Sequence, residues 1–129
     1  LCERAPVVAD YRPEQVASEK IKKGVEEHTT LTLVKNPDII AAVARLAPKP
    51  YTVGFAAESE RLLEHARTKL ERKTLDAVIA NDISKEGIGF NSDDNAVTLI
   101  DNERSLQLDQ RRKSQLARDL VALVAARLR

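Results

Sequence analysis

Apolar residues in this chain gather in short β-branched runs separated by longer helical stripes, and that alternation sets the expected fold. Ala5 to Ala9 is a brief apolar run suited to a buried strand, ending at Asp10-Tyr11-Arg12-Pro13, where Pro13 should stop regular pairing. From Arg12 to His28 the sequence is polar and aperiodic, with a dense charge group at Glu19-Lys20-Ile21-Lys22-Lys23. Loops this long in compact domains are functional or mobile. Thr29 to Val34 alternates and predicts a second strand. Asn36-Pro37-Asp38 predicts a helix start, with Asn36 as cap, Pro37 at the first helical position and Asp38 against the positive end of the dipole. Ile39, Ile40, Val43 and Leu46 then share one side until Pro48 and Pro50. Tyr51 to Ala56 predicts a third strand, and Ser59 the cap of a helix carrying Leu62, Leu63, Ala66 and Leu70. Leu75 to Ala80 predicts a fourth strand, closed by Asn81-Asp82. Asn95 to Ile100 and Ser105 to Leu108 flank a hairpin signal at Asp101-Asn102-Glu103-Arg104. A last helix, about Gln110 to Leu128, aligns Leu116, Leu120, Leu123, Val124 and Leu128.

Strands alternating with helices imply βαβ units with right-handed crossovers. The expected fold is α/β: a Rossmann-like three-layer αβα architecture with a mostly parallel sheet, a closing β-hairpin and a C-terminal helix. At 129 residues the chain is expected to form a single domain.

Composition narrows the classes. With 43% hydrophobic and 32% charged residues the sequence reads as globular, and no apolar run approaches the ~18 residues of a membrane span. Twenty-one basic against 20 acidic residues give a net charge of +1, without the basic footprint of a nucleic-acid binder. The one cysteine, Cys2, cannot form an internal disulfide, which fits a reducing compartment and leaves no cysteine metal cluster. His28 and His65 lack ligand spacing, so no zinc site is expected. No charged-then-apolar leader opens the sequence, which sets a cytoplasmic expectation. Met is absent and the sequence begins Leu1-Cys2, so a segment of a longer polypeptide is expected.

In open α/β sheets ligands bind beyond the carboxyl ends of the strands. Those ends carry Asp10-Tyr11-Arg12, Asn36-Pro37-Asp38, Gly54-Phe55-Ala56-Ala57-Glu58 and Asn81-Asp82. The helix at Pro37 would offer unpaired N–H groups to a phosphate, although a well-capped helix explains the same residues. Lys69 and Lys73 share a helix face with Arg72 beside them, and the Lys20, Lys22 and Lys23 group lies in a loop able to fold over the same crevice. Each cluster alone reads as a solvated face; together they point to an anionic ligand. Tyr11 and Phe55 stand next to strand ends, where a base could stack, although core packing is the commoner use of a lone Phe. Neither a Gly-x-Gly-x-x-Gly fingerprint nor a Gly-Lys-Ser/Thr loop is present, and no nucleophile elbow accompanies a Ser-His-Asp set.

Taken in order, Val8-Ala9-Asp10-Tyr11-Arg12-Pro13, Glu19-Lys20-Ile21-Lys22-Lys23, Lys35-Asn36-Pro37-Asp38-Ile39, Val53-Gly54-Phe55-Ala56-Ala57-Glu58, Ala80-Asn81-Asp82 and Gly89-Phe90-Asn91-Ser92 carry a resemblance. The chain resembles bacterial phosphopantothenate–cysteine ligase, the phosphopantothenoylcysteine synthetase of coenzyme A biosynthesis, and matches the C-terminal part of that ligase domain. The resemblance implies a Mg²⁺-assisted, two-step amide synthesis. The carboxylate of 4'-phosphopantothenate attacks the α-phosphate of CTP to give an acyl-cytidylate, and the amine of cysteine then displaces CMP. It implies that Lys20, in a closing loop, acts on the nucleotide phosphates as the catalytic residue, and that Lys69 and Lys73 hold phosphates. Phe55 would meet the cytosine or ribose side, Asp10 would bind the nucleotide end near the metal, and Pro37, Asp38, Ile39 and Ile40 would offer backbone groups. Nucleotide contacts would also fall at Ala5 and Pro6, where the family is usually Ala-rich. The family further implies a homodimer of ligase domains and fusion to a flavin-dependent decarboxylase, so that FMN belongs to a part outside this chain. The reading from a different class is a non-catalytic nucleotide-sensing or dimerisation module, which would not need Lys20, Lys69 and Lys73 together.

Overall fold

The structure, a computed structural model, describes residues 9–22, 24, 27–82 and 92–128. It divides into two compact units, Leu1–Asp38 and Ile39–Arg129, each described by itself. The expected strand at Ala5 to Ala9 falls on residues 5–8 outside the described set, and Ala9 is exposed and in no strand.

In the first unit β1 (Tyr11–Pro13) pairs antiparallel with β2 (Leu33–Lys35). Pro13 is the last paired residue of β1, opposite Leu33, so regular pairing stops there as expected, at a terminal position where its missing N–H is tolerated. The second strand is confined to Leu33–Lys35 instead of Thr29 to Val34, and the described residues between 14 and 32 carry neither helix nor strand. Asn36 ties the pair together. Its backbone N–H donates to the Asp10 carbonyl at 2.8 Å, its Nδ2 donates to the Ala9 carbonyl at 2.6 Å, and its Oδ1 accepts from Arg12 Nη1 at 3.0 Å. A side chain so engaged serves the β1–β2 clamp, and the expected helix cap is not what Asn36 provides.

The second unit begins with α1 (Ile39–Ala44), followed by β3 (Val53–Glu58), α2 (Leu62–Arg72), β4 (Ala77–Asp82), β5 (Asp94–Asp101), β6 (Ser105–Arg112) and α3 (Lys113–Arg127). The sheet order is β3-β4-β5-β6. Ala77 to Ala80 is buried without a break, as a strand covered on both faces must be. Val78 and Ala80 join Ala44, Ala56, Ala66, Leu70, Leu75 and Ile100 on one face. Ala77 and Ile79 join Val97, Leu99, Leu108, Leu116 and Leu120 on the other. Helices α1 and α2 thus cover one side and α3 the other, giving three layers with an α/β core. Gly54 lies where the connection from α2 to β4 closes down, since a Cβ there would come within 2.7 Å of Leu75 Cδ1.

Among the described residues the sheet is mixed. The β3–β4 pair is parallel, while β4–β5 and β5–β6 are antiparallel, so the mostly parallel sheet expected is not found in these four strands. A parallel pair needs a crossover such as α2, whereas the tight turn between β5 and β6 reverses the chain. The ladder also moves element ends. β3 and β4 each extend to their polar residues because Ala57 pairs with Asn81 and Glu58 with Asp82. The last helix starts at Lys113 instead of Gln110 because Arg111 and Arg112 pair with Asn95 and Asp94. Helix α1 stops at Ala44, short of Leu46.

Helix α2 ends in a Schellman arrangement: Leu75 N–H donates to the Leu70 carbonyl at 3.0 Å and Thr74 N–H to Glu71 at 3.1 Å. Thr74 holds the left-handed position with φ 54°. Among the described residues, no helix is long and apolar enough to cross a membrane.

Candidate functional site

The carboxyl ends of β3 and β4 lie side by side, finishing in Glu58 and Asp82. Helix α2 connects β3 to β4 and packs against both strands. Residues four apart share a helix face, so His65, Lys69 and Lys73 form one row along α2. Two members of the row reach β3. His65 Nδ1 lies 3.2 Å from Glu58 Oε2, and Lys69 Nζ donates to the backbone carbonyl of Phe55. Lys69 and Lys73 are both half-buried.

Phe55 has the strand parity of Val53, which packs against the α3-side core, yet its ring is 61% exposed. Most of this residue therefore lies outside the core and is open to stacking. Ile39 is exposed, whereas Ile40 packs against the α2-side core, so that only its backbone can serve a ligand. An open cleft of about 370 Å³ lies beside the start of α2, lined among others by Leu62, Leu63, Asp82, Thr98 and Gln107. Thr98 and Gln107 were not singled out from sequence. Their signal was register, since they face each other across the β5–β6 hairpin.

The turn into α2 is strained. The N-cap position is Arg61, not Ser59; it adopts φ 48°, ψ 40° and makes no side-chain cap. A left-handed conformation costs an L-residue about 1–2 kcal/mol, and such outliers collect at functional turns.

In the first unit Asp10 is exposed and its carbonyl is bound by Asn36, which brings Asp10 beside the Asn36-Pro37 segment. Pro37 and Asp38 are exposed, and Lys20 and Lys22 are exposed in the irregular stretch. Helix α1, six residues long, is too short to act as an anion-binding dipole. Ala5, Pro6, Lys23 and Gly89-Phe90-Asn91 lie outside the described residues. Among the described residues no group of three or more His, Cys, Asp or Glu could cage a metal ion.

The opposite end of the sheet is bound tightly. Asp76 accepts from Thr52 N–H at 2.7 Å, Thr52 Oγ1 at 3.0 Å and Lys49 Nζ at 2.8 Å. Asp101 accepts from Arg127 Nε at 2.8 Å and from the N–H groups of Glu103 and Arg104 at 3.0 and 2.9 Å. Burial works against both charges, but these hydrogen bonds outweigh it and hold both carboxyls below the usual range. Tyr51 is pushed up, chiefly by burial, with Arg127 opposing and Asp76 and Asp101 adding to the rise.

The family model of the DNA/pantothenate metabolism flavoprotein C-terminal domain matches residues 3–128. The chain belongs to this family. Among curated relatives, the coenzyme A biosynthesis bifunctional protein CoaBC of Vibrio parahaemolyticus is 53% identical over 108 residues, covering 81% of this chain and 27% of that protein. The CoaBC protein of Escherichia coli is 50% identical over 109 residues, again 81% and 27%. This family member thus spans less than a third of the curated relatives it matches. The solved C-terminal domain of a CoaBC protein superimposes with a TM-score of 0.70 at 26% identity, covering 95% of this chain and 52% of that one. A DNA/pantothenate metabolism flavoprotein from Streptococcus pneumoniae gives 0.66 at 25% identity, over 81% and 44%.

Proposed function

We propose that this family member is part of a ligase domain of coenzyme A biosynthesis that joins cysteine to 4'-phosphopantothenate at the expense of CTP, through an acyl-cytidylate. The observation that carries the reading is the family match over residues 3–128, with relatives named for coenzyme A biosynthesis. The chemistry of the residues supports it. Activation of a carboxylate at an α-phosphate builds charge on phosphoryl oxygens and on departing pyrophosphate, so cations and positioning supply most of the rate.

In this reading Lys69 and Lys73 hold phosphates from α2. An ammonium carries three donors, so bracing the Phe55 carbonyl and meeting a phosphate are compatible roles for Lys69. Lys20, in its irregular stretch, is assigned to the charge that develops on the phosphates. Phe55 supplies a stacking face toward the cytosine or ribose, while Asp10 and the backbone of Pro37 to Ile40 meet the nucleotide end. Mg²⁺ fits this donor set as a substrate-borne ion, because it keeps waters and phosphates and takes only one or two carboxylates. Asp10 is the carboxylate that would hold it, and the ion would screen the triphosphate charge. The reading takes the reaction to be cytoplasmic, the enzyme to be a homodimer, and a fused decarboxylase to carry FMN outside this chain.

Calorimetric titration with CTP tests the reading, with ATP as control. A CTP-selective signal is expected. Lys20→Ala, Lys69→Ala and Lys73→Ala should each weaken it about ten- to hundredfold, the worth of a charge-assisted hydrogen bond. Lys35→Ala should leave it unchanged. Pyrophosphate release by the complete polypeptide, given phosphopantothenate and cysteine, should fall with the same three substitutions. A chain that ignores every nucleotide would instead favour an assembly module.

A further inference from the structure

One residue of the first unit ties together two segments that the nucleotide reading uses. Asn36 donates its backbone N–H to the Asp10 carbonyl at 2.8 Å and its Nδ2 to the Ala9 carbonyl at 2.6 Å, while its Oδ1 accepts from Arg12 Nη1 at 3.0 Å. Arg12 Nη1 also donates to the Lys35 carbonyl at 3.2 Å, so the guanidinium braces Asn36 and the residue before it. Asp10 is held on one side of this clamp, and Pro37 follows on the other. Proline fixes its own φ at about −65° and restricts the residue before it. A pinned Asn36 therefore carries its direction into the backbone of Pro37 and Asp38. Tyr11, Arg12, Pro13, Leu33 and Lys35 are exposed and only Val34 of the two short strands is half-buried. Apolar burial thus contributes little to their register, and hydrogen bonds carry it.

We propose that Asn36, braced by Arg12, is a positioning residue of the nucleotide site: it sets the Pro37–Asp38 backbone at a fixed place beside Asp10, so that one nucleotide meets both. The inference rests on the reading above, which assigns Asp10 and that backbone to the nucleotide. Asn36 acts through its neighbours, because its amide nitrogen and oxygen are each already engaged within the chain.

The test is CTP affinity by calorimetry in the presence of Mg²⁺, with thermal unfolding as the check on folding. Asn36→Ala should weaken CTP binding about tenfold, the worth of one or two hydrogen bonds, and Arg12→Ala about threefold. The decisive readout is the same substitution in an Asp10→Ala background. The clamp holds Asp10 by its backbone carbonyl, so Asp10→Ala leaves the clamp in place. There Asn36→Ala should weaken binding by no more than about threefold, because one of the two groups it aligns is gone and coupled sites do not add. A merely structural Asn36 would lose the same factor in both backgrounds. Equal factors, or no loss from Asn36→Ala in a folded protein, overturn the proposal while the nucleotide reading stands. Should Asn36→Ala fail to fold, Arg12→Ala is taken through the same two backgrounds, where a loss confined to the Asp10 background supports the proposal and equal factors overturn it. If the unsubstituted chain shows no CTP response, the nucleotide reading fails and this proposal falls with it.

Discussion

At the amino end of β3 and β4, Asp76 and Asp101 are each wrapped by several donors, and Arg127 reaches from the end of α3 to lock Asp101. At the carboxyl end, Glu58 meets a half-exposed His65, Phe55 stands in solvent, and Arg61 is held in a left-handed turn. The same sheet carries both ends, so the difference lies in how far each polar group is committed to the fold. Charges at the amino end are satisfied by the chain itself. At the carboxyl end the Glu58–His65 pair is partly exposed, at 30% and 46%, which is the condition of groups that can exchange a neighbour for a ligand. Stability should therefore respond to changes at the first end and binding to changes at the second.

The largest effect is expected at Arg127. Its side chain is 11% exposed; Nε donates to Asp101 at 2.8 Å and Nη1 donates to the Leu123 carbonyl at 2.9 Å. Nη2 is buried and lies 2.8 Å from Asp101 Oδ2, out of line for a hydrogen bond. Arg127→Ala leaves the Asp101 carboxylate without its countercharge. Truncating one partner of a buried pair costs about 3–5 kcal/mol, and the turn N–H groups on Asp101 should limit the loss to about 3. Urea unfolding should show the midpoint falling with no change in slope. A loss no greater than that of an exposed arginine such as Arg118 would erase the contrast between the two ends.

Acid should act next, and at the same end. The Asp76 and Asp101 carboxyls are lowered in the fold from their ordinary value of 3.8. A carboxyl whose folded value is depressed contributes stability that is fully present above its unfolded value, and loses it as the pH falls through the folded one. Unfolding free energy should thus hold steady above about pH 5 and decline below pH 4. Asp76→Asn should start less stable at pH 7 but lose less between pH 5 and pH 3. Parallel curves for the two proteins would mean that Asp76 does not report this linkage.

Much of this contrast could be read from the sequence, and the missing part has identifiable causes. The apolar run through Ala80 marked a buried strand because burial on both faces leaves no alternation to interpret. The hairpin turn was legible at Asp101, whose side chain accepts the N–H groups of Glu103 and Arg104 as turn aspartates do. Strand direction was not, because Asn95 to Ile100 has the same pattern whichever way it runs. Nor was the fate of Asn36: its spacing suits a cap, but Arg12 and the Ala9 carbonyl compete for the same amide and win. The common helix face of Lys69 and Lys73 followed from helical spacing. His65 and Glu58 are seven apart across a strand-to-helix turn, and no local period links them. Motif order named Phe55, Lys20 and Asp10, while their exposure could only come from the fold.

The smallest effect sharpens the comparison, because both ends of α2 carry a residue with positive φ. Thr74 at 54° has its strain offset by two Schellman hydrogen bonds and by the buried Leu70 and Leu75 beside them. Arg61 at 48° has no side-chain cap, and its ion pair with Glu64 spans 3.4 Å between exposed side chains. Such a pair contributes at most about 1 kcal/mol and commonly nothing measurable. Replacing Arg61 with glycine removes the left-handed penalty but adds about 0.4–1 kcal/mol of backbone entropy to the unfolded chain. The balance for Arg61→Gly is a gain of about 0.5 kcal/mol, measurable as a shift in urea midpoint at constant slope. If the strain at Arg61 is local to the turn, the gain should add to that of Thr74→Gly in the double variant, since the two sites share no partner. A loss of stability in Arg61→Gly would mean that the guanidinium, and not the backbone, is what the carboxyl end needs at that position.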